Sequence, residues 1–92
     1  MPKATDANQA EIVDALRSVG ATVHSLHAVG FGCPDLLVGF RGDNWLMEIK
    51  DGAKPPSRRK LTPIQVEWHR GWNGQVDIVN SIDEALTLIG VI

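Results

Sequence analysis

Little cysteine, no long apolar run and no excess of positive charge mark this chain, and each shortage excludes something. A single cysteine, Cys33, rules out an internal disulfide and fits a reducing compartment. No apolar stretch approaches the roughly 20 residues that cross a bilayer. The opening segment MPKATDANQAE has none of the apolar core of a signal peptide, so a cytoplasmic location is expected. A formal net charge of −2 excludes a surface coated throughout in Lys and Arg. There is no internal repeat and no low-complexity tract. What remains is ordinary globular composition, 43% hydrophobic and 22% charged over 92 residues. That amounts to one domain near the small end of what folds on a single core.

Charge is distributed unevenly. Lys50, Lys54, Arg58, Arg59 and Lys60 crowd into one short segment. Such a strip on an acidic protein suits contact with phosphates at one place only.

Helical and strand periods order the rest. TDANQAEIVDALRSVG reads as a helix, with Ile12, Val13, Leu16 and Val19 on one stripe and Gly20 as its stop. ATVHSLHAV is β-rich. PDLLVGF and NWLMEIK are strands joined by the turn RGDN. DGAKPPSRRK, residues 51–61 with Leu61, is a basic loop expected to be mobile. LTPIQVEWHRGW opens a second helix, with Thr62 as N-cap, Pro63 in the first turn and Gln65 completing a capping box. QVDIVN is a short strand, and SIDEALTLIGVI a third helix with a capping box from Ser81 to Glu84. The expected order is α-β-β-β-α-β-α, a small α/β domain with a central mixed sheet flanked by helices.

Three charges sit within the apolar strands: Asp35, Glu48 and Lys50. Period 2 puts Leu46, Glu48 and Lys50 on one face of their strand, and Asp35, Leu37 and Gly39 on one face of theirs. A turn centred on Gly42-Asp43 places Leu37 opposite Glu48 and Asp35 opposite Lys50. Asp35 and Glu48 are then diagonal neighbours at roughly 7–8 Å. That spacing suits two carboxylates converging on a hard cation with oxygen ligands at about 2.1–2.4 Å. A one-residue slip would flip every side chain and destroy the convergence. A plainer alternative stands beside this one, in which Asp35 and Lys50 form a cross-strand ion pair and Glu48 is solvated.

GCPDLLVG, LMEIKDG and KLTPIQVEWH, in that order after an N-terminal helix, resemble the PD-(D/E)XK nuclease superfamily. Within it they resemble the VRR-NUC group, including its small stand-alone phage and bacterial members. The resemblance runs from the first helix to QVDIV. It implies a restriction-endonuclease-like fold and a metal-dependent deoxyribonuclease, an endonuclease acting on DNA, with branched or structured DNA among its candidate substrates. It further implies Mg²⁺ or Mn²⁺ held by Asp35, Glu48 and the main-chain carbonyl of Ile49, with Lys50 orienting the attacking water. Such a divalent ion polarises the phosphoryl group and makes hydroxide available near neutral pH.

Many members carry a glutamate on the first helix facing the metal, and here Gln9 takes that position. It shares a face with Ile12, Val13 and Leu16, whereas Glu11 aligns with Asp14 and Ser18 on the polar side. Gln65 matches the family's glutamine after the lysine, although its capping box needs no active site. His69, one turn on, reaches toward the same cleft, and with Lys54, Arg58, Arg59 and Lys60 it forms the expected DNA-binding set. His24, His27 and Cys33 lack the spacing and the fourth ligand of a zinc site. Cys33 is expected to be a small buried thiol. Ile64, Trp68 and Trp72 form a stripe suited to core or dimer packing. So small a domain offers little surface to a duplex, so a homodimer is expected. Two other functions remain open: a non-catalytic DNA-binding module on the nuclease fold, and an interaction domain whose ion pairs are structural.

Overall fold

A computed structural model describes residues 5–92. Residues 1–4 lie outside the described residues. The elements are α1 (Gln9–Ser18), β1 (Thr22–Ser25), β2 (Leu36–Phe40), β3 (Asp43–Ile49), α2 (Pro63–Gly71), β4 (Asp77–Val79) and α3 (Ile82–Leu88), with short 3₁₀ turns at His27–Val29 and Pro56–Arg58. The strands form one four-stranded sheet in the order β1-β2-β3-β4. Its first two pairings are antiparallel and β3–β4 is parallel. The expected α/β order and mixed sheet are therefore present. Among the described residues no helix is long and apolar enough to cross a membrane.

One face of the sheet carries the core. Leu36 and Val38 of β2, Met47 and Ile49 of β3, and Val79 of β4 pack with Ile12 and Leu16 of α1 and Ala85 of α3. Each large side chain so buried contributes about 1.5–3 kcal/mol. The alternate residues of β2 and β3 project to the other face, which α2 touches through Gln65. Period 2 thus separates an apolar face from a chemical one within the same two strands.

The hairpin register corrects the sequence expectation. Phe40 pairs with Asp43, Leu37 with Leu46 and Leu36 with Met47, a shift of two residues. The loop consists of Arg41 and Gly42, with φ of 50° and 84°. Positive φ at both loop positions is the two-residue turn whose twist matches the strands. The Arg41 guanidinium lies 4.7 Å from the centroid of the Phe40 ring. Because the shift is even, every side chain keeps its face, but Asp35 no longer stands opposite Lys50.

Other elements also differ in detail. The β-rich segment forms a strand only over Thr22–Ser25 and then turns through 3₁₀ geometry. Ser81 Oγ accepts from Glu84 N–H as expected, but Glu84 Oε1 accepts from the main-chain N–H and the amide of Asn80, not from Ser81. The basic loop has its own hydrogen bonds: Ala53 N–H to Asp51 Oδ1, Arg58 N–H to Pro55 O, and Arg59 Nε to Lys54 O.

Candidate active site

Asp35 lies just before β2, where the ladder ends. Its N–H donates to Met47 O at 3.1 Å, and its Oδ2 accepts from Ile49 N–H at 2.7 Å. Those two contacts bracket Glu48, so Asp35 stands opposite Glu48. The N–H that it captures belongs to the peptide joining Glu48 to Ile49.

The same geometry orients the Ile49 carbonyl. Lys50 N–H donates across to Val79 O on β4. In a trans peptide the carbonyl points the opposite way from the N–H. The Ile49 carbonyl, which shares this peptide, is therefore directed to the side where Asp35 lies. The two carboxylate residues and this carbonyl occupy one corner at the end of the hairpin.

Glu48 is 0% exposed, Lys50 7% and Gln65 1%. Burying charge is costly unless it is compensated. Gln65 supplies part of that compensation: its Oε1 accepts from Lys50 Nζ at 2.9 Å, and its Nε2 points to Glu48 Oε2 at 3.4 Å. The same Oε1 accepts from Thr62 N–H at 2.9 Å, while Thr62 Oγ1 accepts from Gln65 N–H. One side chain thus serves both the capping box and the contacts to Lys50 and Glu48. Pro63 at the start of α2 needs no N–H partner, so the helix begins where Gln65 faces β3.

His69, one turn further along α2, has Nε2 3.8 Å from Glu48 Oε1. This position is on the cleft side expected of it, apart from the loop cations. Lys54, Arg58 and Lys60 are exposed, and Arg59 is half-buried against the loop backbone.

Gln9 is half-buried in the first turn of α1, and Glu11 is exposed. Gln9 Oε1 is buried without a hydrogen-bond partner among the described residues. Its neighbour Asn8 makes the contact to the strand ends. Asn8 Nδ2 donates to Lys50 O at 3.0 Å and to Asn80 O at 3.1 Å, joining β3 to the end of β4. Sequence reasoning missed Asn8. Its position before an amphipathic helix signals an N-cap, yet its side chain caps nothing there and is spent on the sheet.

Cys33 is half-buried. Trp68 and Trp72 stack at 4.8 Å with planes 21° apart. Trp72 and Ile64 are exposed, so the stripe is not core.

The donor set fits a divalent cation. Two carboxylates against one ammonium leave a net negative charge in a buried corner, which a divalent ion and a phosphate monoanion together would neutralise. Among the described residues no three His, Cys, Asp or Glu side chains form a metal cluster by themselves. The third protein oxygen would come from the main chain of Ile49.

A mixed four-stranded sheet, helices on both faces and an Asp, Glu and Lys gathered at the hairpin end define a restriction-endonuclease-like fold. The chain matches a solved structure of a VRR_NUC domain with 30% sequence identity and a TM-score of 0.62, the match covering 88% of each chain. It belongs to the VRR-NUC family, a nuclease family. No family model matches the sequence, and no curated protein matches it.

Proposed function

We propose that this protein is a metal-dependent deoxyribonuclease that hydrolyses phosphodiester bonds within DNA. One observation carries the reading: Asp35 grips the Glu48–Ile49 peptide while Glu48 and Lys50, both buried, are joined through one glutamine. The lysine is held by a neutral amide, Gln65 Oε1, at 2.9 Å.

Nucleases of this fold generally use divalent metals. Asp35, Glu48 and the Ile49 carbonyl would hold Mg²⁺ or Mn²⁺, which supplies Lewis-acid charge at the phosphoryl oxygens and makes hydroxide available near neutral pH. Lys50 Nζ, fixed by Gln65, donates a hydrogen bond toward the attacking water and the phosphate oxygen on which charge develops. Preorganised donors of this kind need no reorientation during the reaction. Water releases a proton to solvent as its oxygen bonds to phosphorus, the P–O bond to the leaving nucleotide breaks, and the leaving oxygen takes up a proton from solvent. The Asp35 carboxylate keeps the β3 backbone in place through its bond to Ile49 N–H. Lys54, Arg58 and Lys60 lie on the exposed loop between β3 and α2, where they meet the DNA backbone. Gln9 stands in for the family's acidic residue, and its amide oxygen suits a water or a single ligand contact.

The test is incubation of purified protein with linear, single-stranded and branched DNA, with and without Mn²⁺. Metal-dependent cleavage is expected, and Asp35→Ala and Lys50→Ala are each expected to lower its rate by at least about 100-fold. Absence of cleavage on every DNA would leave the non-catalytic DNA-binding alternative. Cleavage that survives both substitutions would move the chemistry elsewhere.

The protein acts as a homodimer, presenting two sites to two strands. Leu37, Leu46 and Trp72 line a groove of about 400 Å³ on the outer part of the face that carries the site, and Trp72 is 45% exposed. An exposed aromatic beside apolar neighbours is characteristic of interface anchors. Sedimentation is expected to give twice the chain mass for the wild type and the chain mass for Trp72→Asp. A monomeric wild type would remove the dimer.

A further inference from the structure

A cavity of about 600 Å³ opens beside the site, between the loop after β1 and the start of α2. Leu26, Phe31, Pro34 and Ile64 line it, together with Asp35 and Gln65. Phe31 is 86% exposed, the highest value among the exposed large apolar residues.

Its backbone is also unusual. Gly30, Phe31 and Gly32 have φ of 68°, 55° and 81° in succession. A bulky aromatic in the left-handed region is a genuine outlier and costs of order 1–3 kcal/mol. The loop is nevertheless tied down. Leu26 N–H donates to Asp35 O at 2.8 Å, and Cys33 N–H to Gly30 O at 3.1 Å. Gly32 lies so close to α2 that a Cβ there would fall 2.8 Å from the Ile64 carbonyl carbon. The backbone is packed and the ring is left out. Both the strain and the exposed ring are costs without return in the isolated chain, and strained residues of this kind gather at ligand sites.

We propose that this cavity receives a nucleobase unstacked from its neighbours, next to the scissile phosphate, with Phe31 as its stacking surface. This rests on the phosphodiesterase reading above and narrows its substrate to DNA with an unpaired or splayed nucleotide. The occupant follows from connectivity. Asp35 and Gln65 belong to both the site and the cavity, so a nucleotide whose phosphate lies at the site has its base within reach of the apolar walls. A base offers a flat π-face to an aromatic ring whatever its identity, which makes such stacking tolerant of sequence. Thr62 also lines the cavity, and the exposed Lys60 lies two residues before it in the chain. A base within an intact duplex is already stacked on both sides and has no face to offer.

The experiment is a binding cycle in EDTA, where cleavage is not involved. Fluorescence anisotropy follows a labelled splayed-arm DNA in which an abasic residue is walked along the unpaired arm. For the wild type, one abasic position is expected to weaken binding by roughly 5- to 100-fold. For Phe31→Ala, binding to the intact arm falls by a similar factor, and the abasic residue costs nothing more. Phe31→Trp restores the abasic penalty, and a blunt duplex binds all three proteins alike. The same penalty in Phe31→Ala as in the wild type would overturn the base pocket, as would equal weakening on the blunt duplex. A protein that cleaves DNA with Mn²⁺ but lacks this coupling loses the pocket and keeps the catalytic reading. A protein that shows the coupling but never cleaves keeps the pocket and loses catalysis.

Discussion

Glu48→Gln is expected to lose metal-dependent cleavage by about 100- to 1,000-fold while leaving the metal-free protein at least as stable as the wild type. The two effects have one origin. Glu48 is 0% exposed, and without a cation its carboxylate is held beside Gln65 and His69. A buried charge is costly to hold even when it has partners, so removing it relieves the folded state. The amide oxygen of the variant still accepts from Gln65 Nε2, and the volume is unchanged.

The complementary measurement is thermal unfolding with Mn²⁺ added. A ligand at 100 times its dissociation constant stabilises the folded state by about 2.7 kcal/mol. For a domain of this size that corresponds to a rise in Tm of roughly 10–20 °C. Wild-type protein is expected to show such a rise, and Glu48→Gln to show none. An equal rise in both proteins would place the ion away from Glu48.

The second large effect is at Gln65, and its size comes from serving two structures at once. Gln65→Ala removes the acceptor of Lys50 Nζ, the acceptor of Thr62 N–H and the amide beside Glu48. Loss of a hydrogen bond to a buried charge costs about 1.5–3 kcal/mol, and loss of the cap about 1 kcal/mol. Together these lower Tm by roughly 10–30 °C. Thr62→Ala removes one arm of the capping box alone. It is expected to lower Tm by roughly 4–8 °C, equivalent to about 1 kcal/mol, and to leave cleavage close to wild type below the transition. Cleavage assayed well below each variant's Tm separates the roles. If Gln65→Ala cuts as fast as Thr62→Ala under those conditions, the glutamine is only a cap.

Much of this was legible in the sequence because it depends on local rules. The alternation in PDLLVGF and NWLMEIK assigned each residue to a face, and an even shift in pairing leaves that assignment intact. The pattern of Thr62, Pro63 and Gln65 carried the start of α2, since caps are made by residues three apart. Charges within apolar strands singled out Asp35, Glu48 and Lys50, and the order of motifs pointed to the family.

Register was not legible in the same way. RGDN contains a turn under several registers, and the choice fell on Arg41 and Gly42 because both adopt positive φ there. That is a property of the folded hairpin, in which Arg41 also lies over Phe40. The result changed the partner of Asp35 from Lys50 to Glu48. Asn8 stayed hidden for a related reason: its bonds reach Lys50 O and Asn80 O, across separations no local rule spans.

The same division runs through the rest of the molecule. By itself the sequence determined the elements, the two faces of the sheet and the residue types available for chemistry, since these follow from periods of 2 and 3.6 and from caps. Only the tertiary structure decided that Gln65 would bind Lys50 while capping α2, that His69 would stand beside Glu48, and that Phe31 would be held outside a packed loop. Those outcomes depend on how elements far apart in the chain are brought together, and close packing fixes that arrangement only once the whole chain has folded.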